Sequence, residues 1–293
     1  MITCKLQGGL GNQLFQIFTT ISYALDHSKP FFFLNNYQLG TGSNGETIRY
    51  TYWKTLLSSL KPFLKNMEQI PTLEILYEST FHYNPLPTPY SDMLLVGYFQ
   101  SPKYFDHHKL FINNLLQLDK TKNQLEKKFN LRNKSNEWIS MHFRIGDYVN
   151  YPDLYNILDV NYYYNALSYI SKKYPTTSFH ITCFYEYCDN EHVDHIIYIL
   201  EYQFPLYKFY KKFNCPDYRD DDWIELLEMS LHPYNIIANS TFSWWAAYLN
   251  NNENKLVCYP EKWFHPEANK DTSDLIPNDW IQISCSQDPE VLY

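Results

Sequence analysis

The chain has 293 residues, of which 45% are hydrophobic and 19% charged, so it is long enough to form one large or two medium globular domains with proper cores. Its formal net charge of −8 argues against a nucleic-acid groove, which needs a basic field, although a local cationic cluster could still hold a small anion. No apolar run approaches the ~20 residues that span a bilayer, and the first residues show no signal-peptide pattern. We therefore expect a cytoplasmic protein without a membrane span.

Cysteines and aromatic residues narrow the class further. The six cysteines show no C-x-x-C or Cys/His metal spacing, so we expect scattered reduced thiols. Aromatic residues make up 18% of the chain, with 28 tyrosines. Such rings suit sugar recognition, because a ring face packs on C–H groups while its polar atom bonds a hydroxyl. They fill cores equally well, so composition leaves both uses open.

The chain opens with a predicted strand, turn and helix. Residues 2–7 alternate as a strand, the glycine-rich residues 8–12 break the pattern, and residues 13–27 have apolar positions at helical spacing. A turn between a strand and a helix N-terminus can bind phosphate, but tight packing of the strand against the helix explains it as well. The third glycine of a dinucleotide fingerprint and the Gly-Lys-Ser/Thr of a P-loop are absent from this turn.

The next segments complete a first domain. Residues 30–34 and 93–98 read as buried strands, residues 35–72 as loop and short helix, and residues 99–102 as the start of a helix. The charged, Asn-rich run over residues 118–134 has no apolar continuity. We therefore place the domain junction near residue 135, which gives domains at 1–135 and 136–293.

The second half alternates strands and helices in the same way. The predicted elements are a strand and turn over 138–149, a helix over Val160–Lys173, a strand over 179–185, an apolar run at 196–202, a helix over 222–231, a strand over 235–239, a helix over 242–250 and a strand over 255–259. This alternation predicts an α/β protein with two Rossmann-like domains that face each other across a cleft. Residues 284–293 read as a polar tail.

The strand and turn over residues 138–149 carry the first candidate site. Polar residues follow the apolar run at its C-terminal end, where open α/β sheets bind their ligands. Arg144 presents a planar, permanently charged fork that can hold two phosphate oxygens. Gly146 permits a sharp turn, and Asp147 can fix the arginine or accept from a loop amide. The alternative is a strand end closed by a structural Arg–Asp pair.

Two helix starts offer further candidates. Ser240 and Thr241 lie where a strand passes into a helix, so their hydroxyls and the free amides of the first turn suit a phosphate, although plain N-capping is the commoner use. Asp222 and Glu225 share one helix face. A carboxylate there can accept from N1–H and N2–H of guanine, a pair that adenine lacks. A solvated acidic helix start is the alternative.

Four blocks of sequence resemble known fucosyltransferases. Residues 142–148, His-Phe-Arg-Ile-Gly-Asp-Tyr, are similar to the H-x-R-R-x-D motif of the α1,2-, α1,6- and protein O-fucosyltransferases. Residues 8–16, 97–105 and 236–249 resemble blocks of the α1,2 branch, glycosyltransferase family eleven, and occur in family order. Ile145 stands where that family usually has a second arginine, and residues 184–189 lack its Ser-Asp-Asp loop.

The resemblance implies a GT-B type fold and an inverting, metal-independent transfer of L-fucose from GDP-fucose to a terminal galactose of an oligosaccharide, in an α1,2 linkage. Arg144 and Asp147 would be the catalytic residues, with Asp153 a second candidate for the general base. Lys103 or Lys211 could substitute for the charge that Ile145 removes; weaker diphosphate binding or lost activity are the other consequences. The donor-binding residues that the resemblance implies are Gly9, Gly11, Asn12, His142, Arg144, Glu225, Asn239, Ser240, Thr241 and Phe242.

No metal site or cofactor is expected. An Asp-x-Asp pattern within residues 220–222 matches the metal motif of another glycosyltransferase architecture, but here it precedes a helix instead of following a strand. His107 with His108, and His192 with His195, have no third ligand at suitable spacing, so we expect surface histidines. Two other functions stay open: a transferase of the same fold with another linkage or donor, and a catalytically silent glycan-binding protein.

Overall fold

The computed structural model describes residues 1–41, 48–129, 137–214 and 221–287. Its contacts divide the chain into two compact units, Met1–Asn123 with Lys270–Pro277, and Gln124–Asn269 with Asn278–Tyr293. Cys215, Asp220 and the last six residues of the predicted polar tail lie outside the described residues.

The first unit is built around short parallel strands. Within its described part, a three-stranded sheet has the order β1-β7-β6, with both pairs parallel. Residues 35–72, predicted as loop and short helix, also contain the short strands β3, β4 and β5. β3 pairs with β4, and β5 pairs with β2, which lies in the strand predicted over 30–34. The strands are β1 (Ile2–Cys4), β2 (Phe33–Leu34), β3 (Gln38–Thr41), β4 (Ile48–Tyr50), β5 (Leu64–Lys65), β6 (Glu74–Tyr77) and β7 (Met93–Val96). The helices are α1 (Leu10–Asp26), α2 (Lys109–Leu115) and α3 (Leu118–Phe129), the last crossing into the second unit.

Helix α1 begins three residues before the predicted helix. Gly8 has a φ of +78°, and a Cβ there would lie 2.5 Å from Asn12 Nδ2, so this position requires glycine. Gly9 then precedes the helix in an extended conformation. The glycine-rich turn is therefore confined to Gly8 and Gly9, and Gly11 and Asn12 lie in the first helical turn. Glycine is a poor helix former, which is why the sequence pattern placed the start too late.

The second unit is a doubly wound α/β sheet. In the part of the chain that the structure describes, six parallel strands have the order β10-β9-β8-β11-β12-β13. Chain order runs outward from β8 to one edge and then from β11 to the other, so a topological switch point lies between these two strands. The strands are β8 (Trp138–His142), β9 (His180–Glu186), β10 (Lys208–Asn214), β11 (Tyr234–Ile236), β12 (Leu256–Pro260) and β13 (Ile281–Ile283).

The helices of this unit are α4 (Val160–Lys173), α5 (Asn190–Gln203), α6 (Asp222–Met229) and α7 (Thr241–Tyr248). Helices were predicted at three places in this unit and are observed there as α4, α6 and α7, whereas α5 covers residues predicted only as an apolar run. The bounds predicted for α4 are confirmed at both ends. The strand predicted over 235–239 ends at Ile236, so Asn239 lies in the turn before α7. Strand β10 was not predicted, because its lysine-rich sequence is that of an edge strand.

The core of the second unit packs around the central strands. Ile139 and Met141 of β8 are fully buried, as is Ile236 of β11. Trp244 and Trp245 of α7 are fully buried in the core. The parallel sheets confirm the α/β class. Within the described residues, no helix is both long enough and apolar enough to cross a membrane.

Candidate functional site

At the switch point, several predicted residues lie together at the carboxyl ends of the central strands of the second unit's sheet. Strands β8 and β11 pair in parallel, with Met141 opposite Ile236, so the segments that follow them leave the sheet side by side. The Tyr148 hydroxyl donates to the carbonyl of Asn239 at 3.0 Å and ties the two segments together. Open α/β sheets bind ligands at the carboxyl ends of their parallel strands, beside such a switch point.

Arg144 is held by carboxylates on both sides. Its Nη1 donates to Glu186, which ends β9, and its Nη2 donates to Asp147. The guanidinium also lies 5.0 Å from the centre of the Tyr148 ring, and its side chain is 19% exposed. Burial acts to lower the pKa of Arg144, but the charge of Glu186 raises it above its ordinary value. The result is a permanent cation in a fixed orientation that still reaches solvent.

The turn after Arg144 is fixed by Asp189. Both carboxylate oxygens of Asp189 accept from the Gly146 amide, at 3.0 and 3.1 Å. Gly146 has a φ of +36°, and a Cβ there would lie 3.3 Å from Glu186 Oε2 and 3.5 Å from Arg144 Nη1. Glycine therefore leaves room for the ion pair between Arg144 and Glu186.

His142 is buried beside the start of α7. Its ring centre lies 5.7 Å from that of Phe242. Burial, and then the nearby charge of Arg144, lower the pKa of His142 to about 3, so its ring is neutral at physiological pH. Its buried Nδ1 has no hydrogen-bond partner among the residues that the structure describes.

The turn before α7 combines capping with one unsatisfied polar atom. Ser240 Oγ accepts from the Phe242 amide at 3.3 Å, so the N-capping alternative is observed, and Thr241 opens the helix. Asn239 Nδ2 donates to the carbonyls of Asn156 and Trp263, at 2.9 and 3.1 Å. The buried Oδ1 of Asn239 has no partner within the described ranges. Capping uses the Ser240 hydroxyl, while Asn239 keeps an acceptor at the switch point.

Glu225 lies in α6, in an acidic environment. Burial raises the pKa of its carboxyl to about 8, against the opposing charge of Lys212. Three neighbouring carboxylates raise it further: Asp222, Glu228 and Glu186. Glu186 also forms an ion pair with Arg144, so its charge interacts with both Glu225 and Arg144. Glu225 is thus a carboxyl group that gains or loses its proton near neutral pH.

The predicted residues of the glycine-rich turn belong to the first unit. Asn12 Oδ1 accepts from Gln100 Nε2 at 3.0 Å. Gln13 Nε2 donates to the carbonyls of Gly8 and Tyr50, at 3.1 and 2.8 Å. Gly9 precedes α1 and Gly11 is buried within it. These contacts brace the turn and orient the Asn12 amide.

Several residues around these sites were not singled out from the sequence. Tyr148, Glu186, Asp189 and Gln100 are among them. The sequence did contain a signal for Glu186 and Asp189. They directly follow the strand predicted over 179–185, which is the next predicted strand along the chain after the one that precedes Arg144. Of the lysines considered as substitutes for a second arginine, Lys103 pairs with Asp274, and Lys211 pairs with Asp194 at 2.6 Å. Asp153 is exposed.

Ile145 belongs to the hydrophobic core of the second unit. Its side chain is 7% exposed and lies in the same buried cluster as Phe143 and Leu158. We expect Ile145→Arg to lower the free energy of unfolding by about 3 kcal/mol or more, because it places an unpaired charge among apolar side chains. Chemical denaturation measures this loss, and Ile145→Leu, which should cost less than about 1.5 kcal/mol, is the control. An Ile145→Arg variant as stable as Ile145→Leu would contradict the assigned burial.

His107 and His108 lie at the surface, as expected, with side chains 50% and 29% exposed. His107 and His108 do have a third potential ligand, Asp26, which lies 81 residues before His107 and next to both rings in space. Sequence spacing missed it because the contact joins the end of α1 to a distant turn.

Known proteins resemble the chain over most of its length. The family model described as glycosyl transferase family 11 matches residues 1–284. The O-antigen biosynthesis glycosyltransferase WbnK of Escherichia coli is 29% identical over 199 residues, and the match spans 64% of this chain and 60% of WbnK. The alpha-1,2-colitosyltransferase of Escherichia coli is 22% identical, with 97% of this chain and 99% of that protein covered. A solved structure of mutant FUT1 from Arabidopsis thaliana in complex with GDP covers 89% of this chain and 70% of its own, at 12% identity and a TM-score of 0.43.

Proposed function

The chain belongs to glycosyltransferase family 11, and from that premise we propose that it transfers L-fucose from GDP-fucose to a terminal galactose of an oligosaccharide. The transfer forms an α1,2 linkage, inverts the anomeric carbon and uses no metal ion. The observation that carries this proposal is the fixed Arg144 guanidinium at the switch point of the doubly wound sheet.

Arg144 supports the chemistry of sugar transfer. As the bond between fucose C1 and the diphosphate oxygen breaks, negative charge grows on the departing GDP. A guanidinium that is already oriented stabilises this charge more in the transition state than in the ground state. With no cation assumed, Arg144, the amides of α7's first turn and the Ser240 and Thr241 hydroxyls would share the diphosphate, and the Phe242 amide would be among those donors.

Two buried polar atoms support a ligand that reaches the same edge of the sheet. His142 Nδ1 and Asn239 Oδ1 are buried and have no partner among the described residues. Buried polar atoms are nearly always satisfied in folded proteins, so a bound ligand is one way to complete them. The neutral His142 ring suits a base or a ribose hydroxyl. Glu225, once ionised, would accept from N1–H and N2–H of guanine.

Asp147 is proposed as the catalytic carboxylate. Without donor, its oxygen pairs with Arg144. A diphosphate that takes over the guanidinium would release this carboxylate, which could then accept the proton of the attacking acceptor hydroxyl. Asn12, Gly9 and Gly11 of the first unit are proposed as further donor ligands, supported by the family resemblance of their block.

A second candidate donor follows from one relative. The Escherichia coli protein that is 22% identical is named for colitose, a sugar that lacks the C3 hydroxyl of fucose. GDP-colitose is therefore the alternative donor. The two sugars differ at one hydroxyl. A site built to bond that hydroxyl strongly rejects the sugar that lacks it, whereas a site without such a bonding group rejects the sugar that carries it only weakly.

A transfer assay tests the proposal and its alternatives together. We expect the protein, mixed with GDP-fucose and lactose in the presence of EDTA, to release GDP and to form a fucosylated lactose with an α1,2 bond. The GDP-colitose reaction, run in parallel, should be slower. Faster transfer from GDP-colitose would establish the alternative donor, and activity lost with EDTA and restored by Mn²⁺ would overturn the metal-free mechanism. Lactose binding without GDP release would instead support a glycan-binding protein.

A further inference from the structure

Three potential metal ligands meet in the first unit. Asp26 is the last residue of α1, and His107 and His108 lie in the short turn Asp106–His108 that precedes α2. The contacts fix both imidazole rings against one carboxylate. This cluster has no part in the proposed transfer reaction.

The distances within the cluster are short. His107 Nε2 lies 3.0 and 3.2 Å from the two carboxylate oxygens of Asp26, and His108 Nε2 lies 2.9 Å from Oδ1. One ligand atom from each of the three residues lies within 4.8 Å of the others. Ligand atoms about 2.0–2.1 Å from a tetrahedral Zn²⁺ ion lie about 3.4 Å apart, so a small opening of the cluster would admit the ion.

We propose that Asp26, His107 and His108 bind a divalent transition-metal ion of the zinc class. Two imidazole nitrogens and one carboxylate oxygen form a ligand set that suits Zn²⁺, while Mg²⁺ and Ca²⁺ prefer oxygen ligands alone. Because the side chains of Asp26 and His107 are 38% and 50% exposed, the fourth position faces solvent and would hold water.

The electrostatic setting favours a cation at this place. Asp26 ends α1, and the C-terminal end of a helix carries partial negative charge that stabilises cations. An aspartate carboxylate is ordinarily ionised at neutral pH and can then ligate a cation. His107 Nε2 also lies 3.3 Å from Ser22 Oγ, a contact that a bound ion would replace.

The ion would cross-link two segments of the first unit. It would join the end of α1 to the turn before α2, which are 81 residues apart in sequence at Asp26 and His107. A ligand that binds only the folded state stabilises it, so Zn²⁺ should raise the melting temperature of the intact protein. The proposed metal site is independent of the proposed transferase activity, because neither histidine belongs to the donor site.

Isothermal titration of the full chain with ZnCl₂ tests the proposal, on protein without a polyhistidine tag. We expect one saturable site in the wild type. Each of Asp26→Ala, His107→Ala and His108→Ala should weaken Zn²⁺ binding at least about tenfold, since even outer-shell substitutions cost that much. The matched controls are His192→Ala and His195→Ala, histidines on the surface of α5, and Cys188→Ser, which removes an exposed thiol. These controls should bind Zn²⁺ as the wild type does.

Thermal denaturation provides a second readout that separates binding from folding. Without metal, the three ligand variants should melt within a few degrees of the wild type, and only the wild type and controls should gain stability with ZnCl₂. Absence of a saturable Zn²⁺ site in the wild type would overturn the proposal. So would a site that survives all three ligand substitutions or disappears with Cys188→Ser.

Discussion

Arg144→Lys is expected to lower the turnover number for sugar transfer by about 100- to 1000-fold, the usual cost of removing one preorganised donor from a site of developing charge. Lysine keeps the positive charge but offers a single ammonium group in place of a planar fork. It cannot bond Asp147 and Glu186 in the arrangement that fixes Arg144. The loss should therefore fall mainly on turnover and less on the Michaelis constant for the donor.

The measurement is steady-state kinetics with GDP-fucose and lactose, together with the melting temperature of each variant. Glu186→Gln is the matched control, because it removes a negative charge beside Arg144 while the amide oxygen can still accept from the guanidinium. Since Glu186 competes with the diphosphate for the same cation, this variant should retain turnover within about tenfold of the wild type. Near-normal turnover of a folded Arg144→Lys protein would refute the role given to Arg144.

The sequence predicted the class of the fold because its signals are local. Apolar periodicity marks α4 from Val160 to Lys173, and the observed helix has those bounds. The same reasoning placed His142 and Arg144 at the C-terminal end of the apolar run, because the run and the polar residues beside it are local features; β8 ends at His142 and Arg144 follows two residues later. The exposed, lysine-rich β10 gave no such signal, because an edge strand has little apolar patterning.

Contacts between distant segments were the part that could not be predicted. Glu186 lies 42 residues after Arg144, and its position became clear only once β8 and β9 were paired side by side. Asp26 reaches His107 and His108 across 81 and 82 residues. The burial of Ile145 is a third case. Comparison with the family motif shows that an arginine is missing at this position, but it does not show that the side chain packs among apolar neighbours. In each case pairing and packing, which are properties of the whole unit, decide what the residue touches.

Binding of GDP-fucose should depend on pH through Glu225. Burial raises the pKa of this carboxyl to about 8, so the free protein holds it protonated at neutral pH, whereas guanine recognition requires the ionised form. Below pH 8, each pH unit of acidification should therefore weaken GDP-fucose binding by up to about tenfold. GDP-fucose is the better probe than GDP, because its diphosphate does not change ionisation between pH 6 and 8. Titration without acceptor measures the dissociation constant at each pH.

The Glu225→Gln variant separates this carboxyl from other groups that titrate. A neutral amide has no proton to lose, so GDP-fucose should bind the variant more weakly at pH 8 and with little pH dependence. A wild-type pH dependence that persists in Glu225→Gln would assign the proton to another residue.

The folding stability of the wild type should fall as pH rises, whereas donor binding should become stronger. The folded protein binds more protons at Glu225 than the unfolded chain does between the ordinary carboxyl pKa of 4.5 and about 8, so the wild type loses stability as pH rises through this range. Glu225→Gln removes that loss, and its melting temperature relative to the wild type should therefore be higher at pH 8 than at pH 5. One half-buried carboxyl then lowers stability at the pH where it serves donor recognition, which is the trade-off expected of a binding group and not of a structural one.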